Sequence, residues 1–528
     1  MKIQSISIEN FRGYKDQTKI DFGNLTTLIG KNDIGKSTIV EALDIFFNDG
    51  KGAIKIDKDD VNKQCLKSGN EDIIISVSFT DLPQSVIIDD TNTTTLSDEY
   101  LLNSNNLFEV IKKYKNGGSA KVFIKANHPT NSQCSALLTK KNADLKKIVE
   151  SLKIGCEDKV KNAVLRKSIW NHFITDLQLQ EVEIDVASKD GDIKSIWDKL
   201  QTYLPMFSLF QSDRKNSDGD SEVQDPLQEA VKQIISNEEL QRKFREIADE
   251  VKEKLQDVSD RTLKKLKEMN PEIADSLNPV IPASDSLKWS EVFKKVSISG
   301  DDDIPINKRG SGVKRLVLLN FFRAEAERRQ SERNVPTVIY AIEEPETSQH
   351  TEHQKKLMDA FISLSKSDNA QIILTTHSAN IVKKLQYENL RLIEDDNGQK
   401  LVHNVTEKSL PYPSLNEVNY LAFGEVGVEY HNELYGYLQN IATEENSDNE
   451  KEKNFDQWLS SKGCKPTKKW IRICNGEEKP SCSCSLCTYI RNFIHHPENK
   501  KNKKYSDEEL GESISKMREI VNSLGHKR

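Results

Sequence analysis

Apolar positions recur along this chain in distinct rhythms, and each rhythm marks a different kind of element. Near the amino end, Ile3, Ile6 and Ile8 sit among polar residues in strand-like alternation, and 25–29 is a short run of Leu, Thr and Ile. Both patterns predict β-strands. Residues 1–30 thus read as three strands, with Asn10-Phe11-Arg12-Gly13 closing the first. Residues 72–80 and 120–126 read as further strands, and the Gly117-Gly118 turn makes them part of an antiparallel lobe. Residues 135–200 are charged and mostly helical in pattern, and 215–221 is a polar stretch that predicts an exposed loop. In 226–269, Leu240, Phe244, Ile247, Val251, Leu255, Val258 and Leu266 recur at helical spacing with mixed charge between them. That stripe suits either half of a short coiled-coil arm or an amphipathic helix packed on a larger body. Residues 338–342 and 372–374 are continuous apolar runs on either side of a helical pattern at 353–365. Unbroken apolar strands alternating with helix imply a mainly parallel, buried sheet, so the fold class is α/β.

Length and composition narrow the class. A chain of 528 residues exceeds what one core supports, and more than one domain is expected. With 36% hydrophobic and 30% charged residues it can form packed domains, and no stretch reads as a membrane span. The first eight residues alternate instead of forming the apolar core of a signal peptide, which predicts a cytoplasmic protein. Net charge is −7 from 76 basic and 83 acidic residues, which excludes a uniformly basic nucleic-acid coat but leaves room for a local basic patch. Of eight cysteines, five crowd into the last stretch at positions 464, 474, 482, 484 and 487, and in that compartment disulfides are not expected.

The chemistry starts at Gly30-Lys31-Asn32-Asp33-Ile34-Gly35-Lys36-Ser37, which lies between the strand at 25–29 and a helical run from Thr38. Strand, glycine loop and helix form a phosphate cradle, in which backbone N–H groups and the helix amino end face a polyphosphate. Lys36 would reach the β- and γ-phosphates, Ser37 would ligate Mg²⁺, and Gly30, Asn32, Gly35 and Thr38 would complete the loop. ATP and Mg²⁺ are the expected cofactors. The opening strand, the Phe11-Arg12 turn and this loop together resemble the start of RecF, SMC and OLD-type ATPases, a likeness to ABC-type P-loop heads that covers the head only.

That resemblance assigns further residues. Glu343 and Glu344 follow the apolar strand at 338–342. In the family the first acid holds the Mg²⁺ shell and the second polarises the attacking water. The family's first acid is usually aspartate, so Glu343 is a departure. Thr375-Thr376-His377-Ser378 resembles the switch-histidine segment, with His377 at the γ-phosphate. Lys308-Arg309-Gly310-Ser311-Gly312-Val313 resembles the signature motif, whose Ser311 and Gly312 would complete the nucleotide site of a second subunit. A homodimer or higher oligomer closed head to tail around ATP is implied. Gln211, after 206–210, is the candidate for the glutamine that watches metal and water.

The carboxyl-terminal part reads differently. After Gly424-Glu425-Val426-Gly427 no Asp-x-Asp pair follows, so the Toprim nuclease domain that OLD proteins carry is not supported. Arg491-Asn492 followed by His496 resembles the R-N-x(3)-H core of HEPN ribonucleases. Histidine works as an acid or base near neutral pH, arginine stabilises a crowded phosphate, and RNA supplies its own 2′-OH. Ser506 and Glu509 form a capping box before the apolar face Leu510, Ile514, Met517, Val521 and Leu524, which supports a helical bundle. Cys474, Cys482, Cys484 and Cys487 could hold zinc, but Cys-x-Cys-x2-Cys is not a standard knuckle and reduced loop cysteines are favoured. Lysines 500, 501, 503 and 504 sit where they could steer RNA.

The expected architecture is an ABC-type head, 1–85 and 206–405, interrupted by a β lobe and helical insertion, 86–205, with a helical arm at 226–269. An all-α HEPN-like domain, 406–528, follows. The resemblance implies an anti-phage defence ATPase, similar in design to the RloC and PrrC anticodon nucleases, that gates a ribonuclease acting on tRNA. Two alternatives stay open. One is a sensor ATPase controlling a separate partner nuclease, as in Septu systems with an HNH protein or in retrons; the other is a RecF-like repair ATPase with DNA at the head.

Overall fold

The computed structural model describes residues 1–50, 52–89, 92–187, 193–211, most of 234–256, 322, 337–347, 351–396, 398–405, 414–474 and 477–524. The first strands in the chain are β1 (Lys2–Glu9), β2 (Thr18–Asp21), β3 (Leu25–Ile29) and β4 (Asp72–Thr80). β5 (Val86–Asp89), β6 (Asn92–Thr94), β7 (Phe108–Lys115), β8 (Ala120–Pro129) and β9 (Leu179–Asp185) follow. Then come β10 (Met206–Phe210), β11 (Val338–Glu343), β12 (Ala370–Thr376), β13 (Leu390–Asp396) and β14 (Gln399–Asn404). The helices so far are α1 (Lys36–Asn48), α2 (Lys63–Lys67), α3 (Asn142–Ser151), α4 (Asn162–His172), α5 (Ile193–Leu200), α6 (Thr351–Leu364) and α7 (Ala379–Val382).

One sheet has the order β2-β1-β4-β7-β8-β9 and is antiparallel at every pair. Ile3, Ile6 and Ile8 all point to its core, although 3 and 6 are an odd number of residues apart. A bulge between Ile3 and Ser5 absorbs the extra residue and returns the later isoleucines to the buried face. The second sheet has the order β10-β11-β12-β3-β13-β14. β10, β11 and β12 pair in parallel, with Phe210 opposite Ile342 and Glu343 opposite Thr375. All of β3 and β12 is buried, as in strands covered on both faces, and the burial includes the polar Thr26, Thr27, Gln371, Thr375 and Thr376.

Two compact units can be separated. The first comprises 1–27, 35–375 and 396–400; the second comprises 28–34, 376–395 and 401–528. In the first unit α3 packs on α4, and the Arg166 guanidinium on α4 grips Glu99 through two bonds of 2.7 and 3.0 Å. Both side chains are 1% exposed. Of the arm foreseen at 226–269, residues 239–250 are helical, and Ala248 is buried in place of Ile247, which is 48% exposed. Most of the rest of that arm, the loop at 215–221 and the signature motif with Ser311 and Gly312 lie outside the described residues.

In the second unit five helices, α8 (Leu415–Phe423), α9 (Val428–Glu445), α10 (Glu452–Ser461), α11 (Leu486–His495) and α12 (Asp507–Leu524), supply the carboxyl-terminal segment. Its core is Leu434, Leu438, Phe455, Leu459, Ile490, Ile514 and Met517 with their neighbours. The capping box forms: Ser506 N–H donates to Glu509 at 3.1 Å and Glu509 N–H to the Ser506 hydroxyl at 3.2 Å. The expectation of an all-α domain needs a correction. β15 (Pro466–Trp470) pairs antiparallel with β18 (Cys482–Ser485), and β16 (Ile473–Cys474) with β17 (Glu477–Glu478). The alternation around Trp470 is only a few residues long, with Lys468 at an inward position and Thr467 and Lys469 outward, so it carries little strand signal. Tertiary packing decides it: Trp470 is buried with Cys484 and Tyr489, and its ring meets that of Tyr489 edge-on at 5.5 Å.

Removing one partner of a buried ion pair strands a charge, at a cost of about 3–5 kcal/mol. Arg166→Met should therefore lower the urea-unfolding free energy by about that amount, and adding Glu99→Leu should recover most of the loss. A double variant no more stable than Arg166→Met would locate the effect in packing instead of the stranded carboxylate.

Candidate nucleotide site and carboxyl-terminal cluster

β3 delivers the chain into the glycine loop, and α1 begins at Lys36. Gly30 has φ +148°, and a Cβ there would stand 2.7 Å from the Ile393 carbonyl oxygen. Gly35 has φ +108°, with the Tyr14 ring 3.2 Å from where its Cβ would lie. The Tyr14 hydroxyl donates to the Gly35 carbonyl at 3.1 Å, so the tight turn is held from outside the loop. No side chain caps α1, whose first-turn N–H groups form the anion-binding end the motif requires. Asn32 is exposed, Ser37 and Thr38 are half-buried in the first turn, and Lys36 is buried.

Glu343 closes β11, where its carboxylate is brought to Gln211 from the end of β10. Gln211 Nε2 donates to Glu343 Oε2 at 3.0 Å, while Glu343 Oε1 is buried with no partner. Burial pushes the Glu343 carboxyl up to about 7, and the nearby Glu41 and Glu344 carboxylates add to the shift; hydrogen bonds from Gln211 and Ser37 pull the other way. An orphaned, proton-hungry carboxylate oxygen beside Ser37 and Gln211 fits a divalent cation and its water shell. Glu344 follows with φ +41°, a left-handed conformation uncommon outside glycine. Its N–H donates to the Thr375 carbonyl at 3.0 Å, which locks the turn to the end of β12. His377 is exposed, one residue past β12, in the second compact unit.

Glu41 and Asp60 carried no weight in the sequence, and Arg12 entered it only as part of the Phe11-Arg12 turn. Glu41 lies four residues after Ser37, hence on the same face of α1, and Arg12 Nη1 bonds it. Arg12 Nε also donates to Asp60 Oδ1 at 2.7 Å, and Arg12 itself sits at φ +49°. The Phe11-Arg12 turn thereby touches the helix that carries Ser37. Helical spacing could have flagged Glu41; only the fold brings Arg12 to it.

In the second unit, Arg491 lies on α11 with its guanidinium 3.5 Å from Glu452 Oε2 and 3.0 Å from Asn492 Oδ1, over the Tyr435 ring at 5.9 Å. Glu452, the first residue of α10, also accepts from Asn492 Nδ2 at 2.9 Å and from Arg472 at 3.0 Å. His496 ends α11, half-exposed, with Nδ1 3.3 Å from Glu498 Oε1. Of the two histidines, His495 stands four residues after Arg491; its pKa is lowered by burial and by the charges of Arg491 and His496. The five-residue spacing to His496 turns it off that face, a distinction lost when only the motif is counted.

Three of the four candidate zinc cysteines lie in different surroundings. Cys482 is exposed, Cys484 is buried beside Trp470, and Cys487 Sγ lies 3.7 Å from Cys464 Sγ in the bundle core. Among the described residues no group of three or more His, Cys, Asp or Glu is placed to hold a metal, and no helix is long and apolar enough to cross a membrane.

Strand, glycine loop and helix, with an acid at the end of β11 in the same sheet, define a P-loop ATPase head. A family model described as an AAA ATPase domain matches residues 1–382, and the chain belongs to that family. It is similar to Endonuclease GajA of Bacillus cereus (strain HuB5-5), with 24% identity over 413 residues, 72% of this chain. The match spans 56% of that protein's length. Similar solved structures include the SMC head domain from Thermotoga maritima, with a TM-score of 0.31 and 12% identity over 77% of this chain and 100% of that one. Another is the Smc head domain with an extended coiled coil bound to the C-terminal domain of ScpA, derived from Pyrococcus furiosus, with a TM-score of 0.38 and 13% identity over 77% and 97%.

Because the Glu343 pKa lies above the unfolded value of about 4.3, the cation-free folded chain holds an extra proton between that value and about 7. Its stability should fall as pH rises through this window, and Glu343→Gln should flatten the slope in pH-dependent thermal melts. Mg²⁺ must displace the same proton, so Mg²⁺-dependent nucleotide binding should weaken about tenfold per pH unit below the Glu343 pKa and lose that dependence in Glu343→Gln. A Glu343→Gln profile that matches wild type would remove Glu343 from the cation site.

Proposed function

We propose that the chain is an ATP-binding and hydrolysing defence protein whose head gates a ribonuclease in its helical tail. The observation that carries the ATPase half is the meeting of Ser37, Gln211 and an orphaned Glu343 oxygen at the end of a parallel strand. Lys36 would hold the β- and γ-phosphates, and Ser37 with Glu343 would hold Mg²⁺, which would supply charge neutralisation for phosphoryl transfer. Glu344, fixed by its backbone bond to Thr375, orients the attacking water, and His377 reads the γ-phosphate. Ser311 and Gly312 act on the nucleotide of a second copy, making the working form a homodimer or higher oligomer in the cytoplasm.

In the tail, Arg491 stabilises the crowded phosphate and the His495–His496 pair moves protons. The RNA 2′-OH gives its proton to a histidine and attacks phosphorus. The bond from phosphorus to the 5′-oxygen breaks, and the leaving oxygen takes a proton, giving a 2′,3′-cyclic phosphate and a 5′-OH. tRNA is the proposed substrate. The matched relative is named an endonuclease, which agrees with a nuclease outcome.

A second reading has one observation in its favour: Glu452 already neutralises Arg491. On that reading the tail is structural, and the ATPase controls a separate nuclease, encoded beside it as in HNH-partnered or retron systems.

Lys36→Ala should weaken ATP binding at least tenfold, about 1.4 kcal/mol, read by nucleotide titration. In cells expressing wild type, Lys36→Ala, His495→Ala or His496→Ala and challenged with phage, total RNA should be cleaved only where the head and both tail histidines are intact. Intact RNA with full protection in both histidine variants would sink the ribonuclease reading and favour a partner nuclease.

A further inference from the structure

The carboxyl-terminal segment concentrates positive charge that neither the nucleotide site nor the Arg491 cluster uses. Residues 462–504 carry eleven Lys and Arg against three acids, Glu477, Glu478 and Glu498, in a chain whose net charge is −7. Part of that charge is spent within the fold: Lys468 pairs with Glu509, Lys501 with Glu478 and Arg472 with Glu452. Lys465, Lys469, Lys500 and Lys504 are exposed, and their ammonium groups have no ion pair or hydrogen bond among the described residues.

The fold places these lysines on two elements that are fastened together. On β15, Lys468 turns inward to Glu509 and lies 5.5 Å over the Tyr489 ring, and Trp470 is buried, so strand alternation turns Lys469 outward. The loop at 499–504 is stapled to the end of this hairpin. Asn499 Nδ2 and Asn502 Nδ2 donate to the Ile471 carbonyl at 2.8 and 2.9 Å, and Ile471 N–H donates back to Asn502 Oδ1 at 2.9 Å. The Tyr489 hydroxyl fixes the loop from α11 by donating to the Lys503 carbonyl at 2.6 Å. Both asparagines are buried, whereas lysines 500 and 504 face solvent. The loop starts just after His495 and His496, so the basic surface runs directly on from the histidine pair.

We propose that the β15–β18 hairpin and the 499–504 loop form a phosphate-tracking surface that delivers single-stranded RNA to Arg491 and the His495–His496 pair. This rests on the ribonuclease reading for the choice of RNA over DNA. The neighbouring aromatic rings, Trp470 and Tyr489, are buried and cannot stack on bases, so recognition is through phosphates and tolerant of sequence. The stapling fixes the backbone positions from which these lysines project, so only their side chains need ordering when RNA binds.

The test uses the full chain in a His496→Ala background, so that RNA survives, with a fluorescein-labelled single-stranded oligouridylate titrated over a range of KCl concentrations. Lys469→Glu, Lys500→Glu and Lys504→Glu combined should weaken binding about tenfold or more at low salt. The combination should also reduce the steepness of log affinity against log salt by about 2, at about 0.7 per lost phosphate contact. The corresponding Lys→Gln triple, whose thermal melt is expected to match wild type, should show the same change in slope, and ATP hydrolysis should not move in either triple. Unchanged affinity and slope in both triples would overturn the surface. Tighter, lysine-dependent binding of duplex DNA than of the RNA would overturn the RNA assignment. Lysine-dependent RNA binding together with no cleavage by the wild-type chain would uphold the surface and remove the ribonuclease activity, which keeps the two failures distinguishable.

Discussion

A carboxylate driven out of water at the end of a parallel strand is unfavourable unless something positive answers it, and Glu343 imposes that constraint on the nucleotide site. Its charge is opposed by burial and by Glu41 and Glu344, while Gln211 and Ser37 offer only neutral hydrogen bonds. A divalent cation would satisfy the orphaned oxygen and turn an unfavourable burial into a binding site. Arg12 belongs to the same balance, since by engaging Glu41 and Asp60 it offsets one of the acids that crowd Glu343.

The glycine loop depends on the same kind of close approach. Gly30 and Gly35 adopt positive φ where a side chain would meet the Ile393 carbonyl or the Tyr14 ring. Tyr14 and Arg12 are both supplied by the turn after β1, so the amino-terminal strand shapes the loop and the acid cluster together. Glu344, in a left-handed conformation and anchored to Thr375, is a further point where backbone strain is held at the site.

In the helical segment a single acid plays the organising part. Glu452 receives Asn492, Arg472 and Arg491, and so ties α10, α11 and the chain leaving β15 to one carboxylate. The Phe455, Leu459, Ile490 and Met517 core fixes the helices, and the buried Trp470 and Tyr489 pair fixes the hairpin.

The sequence by itself determined the elements with strong local signals. The glycine loop was legible because its backbone demands are written in residue type, the strands at 338–342 and 372–374 because burial on both faces leaves unbroken apolar runs, and the last helix because its cap and apolar face coincide. Only the tertiary structure decided the rest. The bulge that keeps Ile3 and Ile6 on one face, the hairpin around Trp470, the meeting of Gln211 with Glu343 across 132 residues of sequence and the grip of Arg12 on Glu41 all join groups far apart in the chain. Periodicity reports a residue's neighbours along its own element, whereas a site is made by side chains from different elements, whose separation is set by packing.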